Sequence, residues 1–514
     1  MLTIKTTRPC EGMHYANIAL LASLASTTLA AETVLGVYIF SRHGDRTAKS
    51  TPPTNLTDLG YQEVYTSGTY FRSRYVSSSA SRRIHGLNSD LVKQSQITAS
   101  APSDTVLQNS AMGFLQGLYP PVGSDLGSNT LRNGTVVSAP LNGYQLIPLQ
   151  TVETGANSEN AAWLQGATNC ANAQISSNKY FNSAEYLETL SRTQDFYNGL
   201  TPMINRTFTA SQTSFKNAYT IFDLLNVASI HNSSANFPNA DLLTDDVFFQ
   251  LRTLADQHEW GLAYNESEPV RAITGAIIAN EVVQALNSTI AASGKSKQLN
   301  VQFGAYAGMM SFFGLANLTV ANSDFFGVPD YASTLVWELV TNATVDNNNY
   351  PTTNDISVRF LFHNGTASNI SEPVEYPLFG GNQSPLPWTD FVAGMDKFRI
   401  KSQKDWCSAC GNSTGECSAE ALGESSNTNS SSSASSSQSG NGNGSGKGGI
   451  SKAVAGVIGA MVTLAVILGL ELLVIAVGGY RLVSKKRLAA RGGAGPDSTS
   501  ASAAGGPNGG ASKA

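Results

Sequence analysis

A histidine lies between two arginines in V-Y-I-F-S-R-H-G-D-R-T, residues 37–47. Arg42 precedes His43 directly, and Arg46 follows three residues later. Two neighbouring cations make protonation of the imidazole costly, so they keep it neutral and nucleophilic. The forked donors of arginine match the oxygens of a phosphate group. The pattern therefore indicates an anion site, in which attack by His43 on phosphorus would give a covalent phosphohistidine.

The position of this motif along the chain supports that interpretation. The apolar run that precedes it predicts a buried strand ending at Phe40. In open α/β sheets, ligands bind at the carboxyl ends of strands. Gly44 would let the backbone come close to such a ligand. The alternative is an ordinary loop histidine between surface arginines, and it explains the direct step from strand to motif less well.

The elements that must position the motif follow from hydrophobic periodicity. Residues 55–76 and 104–121 have apolar residues at helical spacing, and two prolines end the second segment. Residues from about 150 to 295 are mostly helical in pattern. Strand patterns return at 299–307, 333–341 and 356–365. This order predicts an α/β fold, a mixed sheet with helices on both faces, plus a smaller helical domain.

Both ends of the chain are predicted to contain targeting or membrane-anchoring segments. Residues 1–31 contain a short apolar core that ends in small residues, which predicts a secretory signal peptide. Residues 453–480 are long and apolar enough for one transmembrane helix, interrupted only by Glu471. Five Lys and Arg residues follow within 481–491, so residues 481–514 are predicted to be a cytoplasmic tail.

The region between these ends is predicted to face outward. Residues 32–418 form the ectodomain, and the Ser/Gly/Asn-rich residues 419–449 form a flexible stalk. The expected location is the secretory pathway and the cell surface, as a single-pass type I membrane protein, with the vacuolar membrane left open. N-x-S/T sequons predict N-glycans; eleven of them begin at Asn55, Asn133, Asn205, Asn232, Asn265, Asn287, Asn317, Asn342, Asn364, Asn369 and Asn412.

Composition and cysteine content narrow the function classes. The 514 residues carry a net charge of −5 and no basic stripe, which argues against a nucleic-acid partner. Cys170, Cys407, Cys410 and Cys417 form an even set suited to two disulfides, with three pairings open. A zinc site is disfavoured because no histidine pair lies near Cys407 and Cys410. We expect no metal and no cofactor, and the sequence does not indicate the oligomeric state.

Several segments resemble the histidine acid phosphatases of the phosphoglycerate-mutase-like superfamily, in particular fungal-type members. R-H-G-D-R-T, residues 42–47, resembles the R-H-G-x-R-x-P motif of that family, with Thr47-Ala48 where proline is usual. Residues 55–75, 109–121 and 257–275 and the closing W-C-S-A-C also resemble family segments. The resemblance implies hydrolysis of phosphate monoesters at acidic pH by a phosphoric monoester hydrolase. His43 would be the nucleophile, and Arg42 and Arg46 would hold the phosphate.

Two positions depart from the family pattern. A third phosphate-binding arginine aligns with Val106. A His-Asp pair, whose Asp protonates the leaving alcohol, aligns with Ala305 and Tyr306. General acid help is often worth about 10²–10⁴-fold in rate. We therefore expect either a phosphatase with a modified acid step or a pseudophosphatase that binds a phosphorylated ligand or partner at the cell surface.

Some residues could replace the missing groups. Tyr306 has the right position for a proton donor, although its ordinary pKa is about 10. The other acids considered are Asp45, Asp324 and Glu266. His258-Glu259 imitates a His-acid pair, but it precedes the usual position, and a solvated helix face explains it better. Arg82 or Arg83 could supply the missing cation.

Overall fold

The computed structural model describes residues 32–152, 169–232, 237–346, 349–419 and 421–423. The predicted signal peptide, transmembrane helix and cytoplasmic tail, and nearly all of the predicted stalk, lie outside these residues. Among the helices of the described ranges, none combines the length and apolar character that crossing a membrane requires.

An eight-stranded mixed sheet forms the centre of the fold. Its order is β10-β8-β7-β1-β6-β2-β5, with β9 paired to β8, while β3 and β4 form a separate two-stranded sheet. The bounds of the strands are β1 Thr33–Arg42, β2 Ile97–Pro102, β3 Ser128–Thr130, β4 Val136–Ser138, β5 Leu149–Val152, β6 Leu299–Gly304, β7 Thr334–Thr341, β8 Ile356–His363, β9 Val374–Glu375 and β10 Leu386–Pro387. The predicted α/β class and mixed sheet are confirmed.

The helices cover both faces of this sheet. Their bounds are α1 Asp58–Phe71, α2 Thr105–Leu118, α3 Gly123–Leu126, α4 Pro140–Gly143, α5 Ala171–Lys179, α6 Ala184–Arg192, α7 Gln194–Ile204, α8 Ala218–His231, α9 Asp245–Ala263, α10 Ile273–Ala291, α11 Tyr306–Leu315, α12 Trp388–Met395 and α13 Gln403–Cys410. Helices α1 and α2 share one core with β1, β2 and β6. Helices α10, α11 and α12 pack on the opposite face. Apolar residues on both sides of β1 explain why its sequence is a continuous hydrophobic run.

A third core lies among the helices between the two strand-rich regions. Residues of α6 to α9 pack together there, with Phe215 and Tyr197 fully buried, and Tyr306 and Met310 of α11 join them. This helical layer corresponds to the mostly helical pattern at about 150–295. Helix α11 follows β6 directly. Its first residues therefore lie at the carboxyl edge of the sheet and also contact the helical layer.

Two disulfides connect the four predicted cysteines. Cys170, at the start of α5, is bonded to Cys410 at the end of α13. Cys407 is bonded to Cys417. The prediction of disulfides is confirmed, and the structure selects one of the three pairings that the sequence left open.

A buried carboxylate in the middle of β7 connects this strand to β8 and to the segment that follows α1. Glu338 is fully buried, and its Oε1 accepts hydrogen bonds from Tyr75 at 2.6 Å and Arg74 at 2.8 Å. Its Oε2 accepts from Arg359 at 2.9 Å and Arg82 at 3.2 Å. Burial alone would raise the pKa of Glu338, but these cations, Arg74 foremost, hold it below its ordinary value.

We expect Glu338→Gln to lower the free energy of unfolding by about 3–5 kcal/mol, because it removes the fully buried negative charge that Arg74, Arg82 and Arg359 share. Urea unfolding of the purified chain measures this difference. Glu372→Gln is the matched control, since Glu372 is 60% exposed and its carboxylate lies 4.0 Å from the same Arg74. That variant should change stability by less than about 1 kcal/mol. Equal effects of the two substitutions would contradict the assignment.

Candidate active site

Three strand ends bring the candidate site residues together. Strand β1 pairs in parallel with β6 and antiparallel with β7, so that Arg42 lies opposite Gly304 and Ser41 opposite Thr334. Tyr306 begins α11 two residues after β6, and Tyr331 precedes β7 by three residues. The loop that carries His43 therefore meets both tyrosines at the carboxyl edge of the parallel strands, where α/β proteins bind ligands.

The side chain of His43 is oriented by its own neighbour. Nδ1 lies 2.8 Å from the carbonyl oxygen of Gly44. A carbonyl oxygen can only accept, so Nδ1 carries the ring proton and Nε2 carries the lone pair that a nucleophile needs. The imidazole is 1% exposed, and its ring centroid is 5.5 Å from that of Tyr331.

Close packing against α1 explains the glycine of the motif. A Cβ added to Gly44 would lie 2.2 Å from the carbonyl oxygen of Gly60, and one added to Gly60 would lie 2.0 Å from that of Asp45. The amide of Gly44 donates to Ser110 Oγ of α2 at 3.2 Å. From the sequence, we explained Gly44 by the close approach of a ligand. The contact between its backbone and that of Gly60 already requires a glycine at this position.

Arg46 forms a buried, two-point ion pair with Asp223 of α8. Its Nη2 lies 3.0 Å from Asp223 Oδ1, and its Nη1 donates to Oδ2 at 3.2 Å. The two side chains are 0% and 2% exposed. Burial alone would lower the pKa of Arg46, but Tyr219 and Asp223 raise it above its ordinary value. Arg46 is thus permanently charged, and its fork faces a carboxylate of the protein.

Arg42 lies between aromatic rings of three different elements. Its Nη1 donates to the carbonyl of Pro329, and its Nη2 donates to Tyr219 Oη at 3.3 Å. Its Cζ lies 4.6 Å from the ring centroid of Tyr331 and 5.1 Å from that of Tyr306. The predicted set of His43, Arg42, Arg46 and Tyr306 is therefore brought together.

Sequence reasoning named Asp45 but missed Glu63, which lies beside it behind the motif loop. Asp45 is fully buried, and its Oδ2 lies 2.6 Å from Nε2 of His231 and accepts from Thr57. Its amide donates to Glu63 Oε2 at 2.8 Å. Burial raises the pKa of Glu63 to about 7, against the lowering effect of that amide. Asp45 is thus committed to holding the loop, and no spacing rule points to Glu63.

The raised pKa of Glu63 makes part of the stability depend on pH. A carboxyl whose folded pKa exceeds its unfolded value stabilises the fold below the unfolded pKa, and that contribution is lost as the pH rises through the folded pKa. For Glu63 the loss falls between about 4.5 and about 7.

We therefore expect Glu63→Gln to raise the Tm relative to the natural chain at pH 8 and to leave it nearly unchanged at pH 4.5, because the amide has no charge to bury. Thermal unfolding from pH 4 to pH 8 measures this difference. Glu416→Gln, at an exposed carboxylate, is the control and should give parallel curves. A Tm difference that does not grow with pH would exclude Glu63 as the titrating group.

The replacements suggested for the missing arginine lie elsewhere. Val106 is fully buried in the first turn of α2. Arg82 belongs to the network around Glu338, and Arg83 donates to the carbonyl of Leu87 at 3.1 Å. A different cation approaches the site, since Lys49 Nζ lies 5.5 Å from the ring centroid of Tyr306 and 5.6 Å from that of Tyr219.

The interpretation of His258-Glu259 as a solvated helix face is wrong. The two side chains are 7% and 14% exposed, and Glu259 Oε2 accepts from Tyr306 Oη at 2.7 Å. Glu266 is exposed, and Asp324 lines a separate cavity. The helical period alone does not reveal this burial, because α9 packs on α11 from a distant part of the chain.

A large cavity lies next to the site but outside it. It measures about 840 Å³, and Trp260, Phe326 and Tyr376 are among its lining residues. It shares Val328, Pro329 and Arg252 with a pocket of about 30 Å³ beside Arg42. This smaller pocket has room for roughly two water molecules.

Burial raises the pKa of Asp256 in the larger cavity to about 6. Within the described residues, no group of three His, Cys, Asp or Glu side chains is arranged to hold a metal.

Residues 50–363 match the family model of the histidine phosphatase superfamily (branch 2). This range is more than half of the chain. The chain belongs to this superfamily. The matched range starts after the R-H-G-D-R motif, so the roles of Arg42, His43 and Arg46 depend on the geometry described above.

The chain is similar to a human protein and to several solved structures. It is 26% identical to human prostatic acid phosphatase over 275 residues, which cover 51% of this chain and 63% of that protein. Solved structures similar to it include the phytase of Citrobacter braakii, at 14% identity and a TM-score of 0.49 over 74% of this chain and all of that one. The apo phytase of Hafnia alvei has 14% identity and a TM-score of 0.48 over 74% of this chain and 98% of that one.

Proposed function

We propose that this protein hydrolyses phosphate monoesters through a phosphohistidine at His43. The observation that carries the proposal is the bond between Nδ1 of His43 and the carbonyl of Gly44, which puts the ring proton on Nδ1 and the lone pair on Nε2, in a loop that also carries Arg42 and Arg46. The fixed positive charges of Arg42 and Arg46 stabilise the charge that spreads over the phosphoryl oxygens in the transition state. Membership of the histidine phosphatase superfamily supports the same reaction.

The reaction has two steps. Nε2 of His43 attacks phosphorus, the bond to the leaving oxygen breaks, and the alcohol departs with a proton. Water then attacks the phosphohistidine, the N–P bond breaks, and inorganic phosphate leaves. Tyr306 is the proposed proton donor, because it begins α11 at the position of the family's acid and lies beside Arg42.

We expect the full chain to hydrolyse p-nitrophenyl phosphate at acidic pH, and His43→Ala to lower the rate by about 10⁴-fold or more, as removal of a nucleophile does in other enzymes. Steady-state rates from pH 3 to pH 8 test this. Rapid quenching into alkaline denaturant should also leave labelled phosphate on the natural chain and none on the variant. His85→Ala is the control, because His85 lies at the other end of β1, where its amide donates to Val34. Activity that survives in His43→Ala would exclude the mechanism.

A second candidate is a pseudophosphatase that binds a phosphorylated ligand or partner without turnover. The ion pair of Arg46 with Asp223 favours it, since a bound phosphate must share that arginine with a carboxylate. Like charges at one site disfavour each other. The burial of Val106 where the family has an arginine points in the same direction.

The two candidates differ in their response to Asp223→Asn. The amide removes the negative charge that competes with phosphate, so we expect the apparent affinity for inorganic phosphate to rise by about tenfold, which corresponds to about 1.4 kcal/mol. The rise of Tm with phosphate concentration measures this, with Asp246→Asn at an exposed position of α9 as the control. A turnover rate that also rises identifies an enzyme held in check by Asp223. Tighter binding without turnover identifies a pseudophosphatase, and unchanged binding contradicts the competition.

The proposed setting is the outside of a membrane. The signal peptide, the transmembrane helix and the N-glycans remain proposals based on the sequence. The described surface is compatible with glycans, since the eleven sequon asparagines named above are exposed or half-buried. Cleavage by peptide-N-glycosidase with a mass loss would support this setting, and an unchanged mass would oppose it.

A further inference from the structure

A chain of three side chains leads from the candidate site into the helical layer. Tyr306 Oη lies 2.7 Å from Glu259 Oε2, and Glu259 Oε1 lies 2.8 Å from His258 Nδ1. Tyr306 begins α11, whereas both other residues belong to α9, 47 positions earlier in the case of Glu259. The two helices place a carboxyl group directly behind the tyrosine that occupies the family's acid position.

This carboxyl group is largely withdrawn from water. The side chain of Glu259 is 14% exposed, and that of His258 is 7% exposed. The ring of His258 is surrounded by four aromatic rings, whose centroids lie between 5.3 and 6.4 Å from its own; they belong to Tyr180, Phe181, Tyr186 and Phe215. A buried carboxyl is costly unless it is protonated or hydrogen-bonded. This one has a partner on each oxygen.

The other end of the chain lies beside the arginine that would hold the substrate. The ring centroid of Tyr306 is 5.1 Å from Cζ of Arg42 and 5.5 Å from Nζ of Lys49. Nearby positive charges stabilise a phenolate relative to a phenol. Tyr306 is thus positioned to lose a proton towards the pocket and to regain one from Glu259.

We propose that Glu259 is the proton reserve of the acid step, acting through Tyr306 and held in place by His258. This inference rests on the proposed phosphatase function. The family has an Asp carboxyl group at the position of Tyr306. In this chain the carboxyl group belongs to Glu259 and is connected to that position by one hydrogen bond. Glu259 is a positioning residue in this scheme, because only Tyr306 meets the leaving oxygen.

The protons balance over one turnover. In the structure Tyr306 Oη donates to Glu259 Oε2. In the proposed step a proton on the Glu259 carboxyl reverses this bond, so that the carboxyl donates to Tyr306 Oη and the phenolic proton turns towards the pocket. When the bond between phosphorus and the leaving oxygen breaks, that oxygen takes the phenolic proton and Tyr306 takes the proton of Glu259. His258 Nδ1–H stabilises the resulting carboxylate. In the second step, attacking water returns one proton through Tyr306 to Glu259, while the N–P bond breaks.

The test compares two substrates that differ in their need for a proton. The p-nitrophenolate ion leaves without protonation, whereas the glycerol of β-glycerophosphate does not. The variants are Glu259→Gln, Tyr306→Phe and the double variant, all in the full chain. Glu266→Gln is the matched control, since Glu266 is an exposed glutamate just after α9. Rates of phosphohistidine formation with p-nitrophenyl phosphate report on folding and on the nucleophile.

We expect Glu259→Gln to lower the rate of phosphohistidine formation from β-glycerophosphate by about 100-fold and from p-nitrophenyl phosphate by less than about threefold, within the range of general acid catalysis. Tyr306→Phe should give the same pattern, and the double variant should be no slower than the slower single variant, because the residues act as a unit. Glu266→Gln should change neither rate.

Equal losses on both substrates would overturn the relay, since a purely structural role of Glu259 has no preference for the leaving group. Unchanged rates on both substrates would also overturn it. In either case, turnover of p-nitrophenyl phosphate by the natural chain would leave the proposed function intact. If the natural chain forms no phosphohistidine and hydrolyses neither ester, the proposed function fails, and the relay fails with it.

Discussion

The arrangement of the candidate site depends on the buried ion pair between Arg46 and Asp223. The arginine comes from the loop after the central strand, and the aspartate comes from the helical layer. Asp223 also accepts from the amide of Lys49 at 2.7 Å and from Tyr331 Oη at 3.3 Å. Removing one partner of such a pair typically costs about 3–5 kcal/mol. One carboxylate therefore joins the sheet, the helical layer and the loop before β7.

That constraint has a chemical consequence for the neighbouring groups. Because Tyr331 is tied to Asp223, its ring lies over both Arg42 and His43. Burial is the main reason why the pKa of Tyr331 lies above its ordinary value, so this ring stays neutral. The candidate site is therefore assembled around charges that the protein itself already balances. Under the proposed function, a substrate phosphate would compete with an internal carboxylate and with the carbonyl of Pro329 rather than with water alone.

Local patterns in the sequence predicted the parts of this arrangement that are close together in the chain. The strand before Arg42, the helix that ends before Pro120 and the anion motif itself follow from neighbours within a few residues. Tyr306 was found through the resemblance, because it aligns with the Asp of the family's His-Asp pair. Asp223, Glu63 and Glu259 were missed or misread because their partners are 177, 18 and 47 residues away. Helical periodicity describes a face without saying what covers it, so His258 read as solvated although aromatic rings of distant helices enclose it.

The bond between Cys170 and Cys410 closes a covalent ring that contains α5 to α13, and therefore Asp223, Glu259, Tyr306 and Tyr331. The motif loop with His43 lies outside this ring, on the chain that precedes Cys170. A single peptide-bond cleavage inside the ring leaves one covalent molecule, whereas a cleavage between β1 and Cys170 leaves His43 without a covalent link to the residues inside the ring. Covalent continuity of the candidate site therefore depends on the chain between β1 and α5 and not on any single peptide bond of the helical layer.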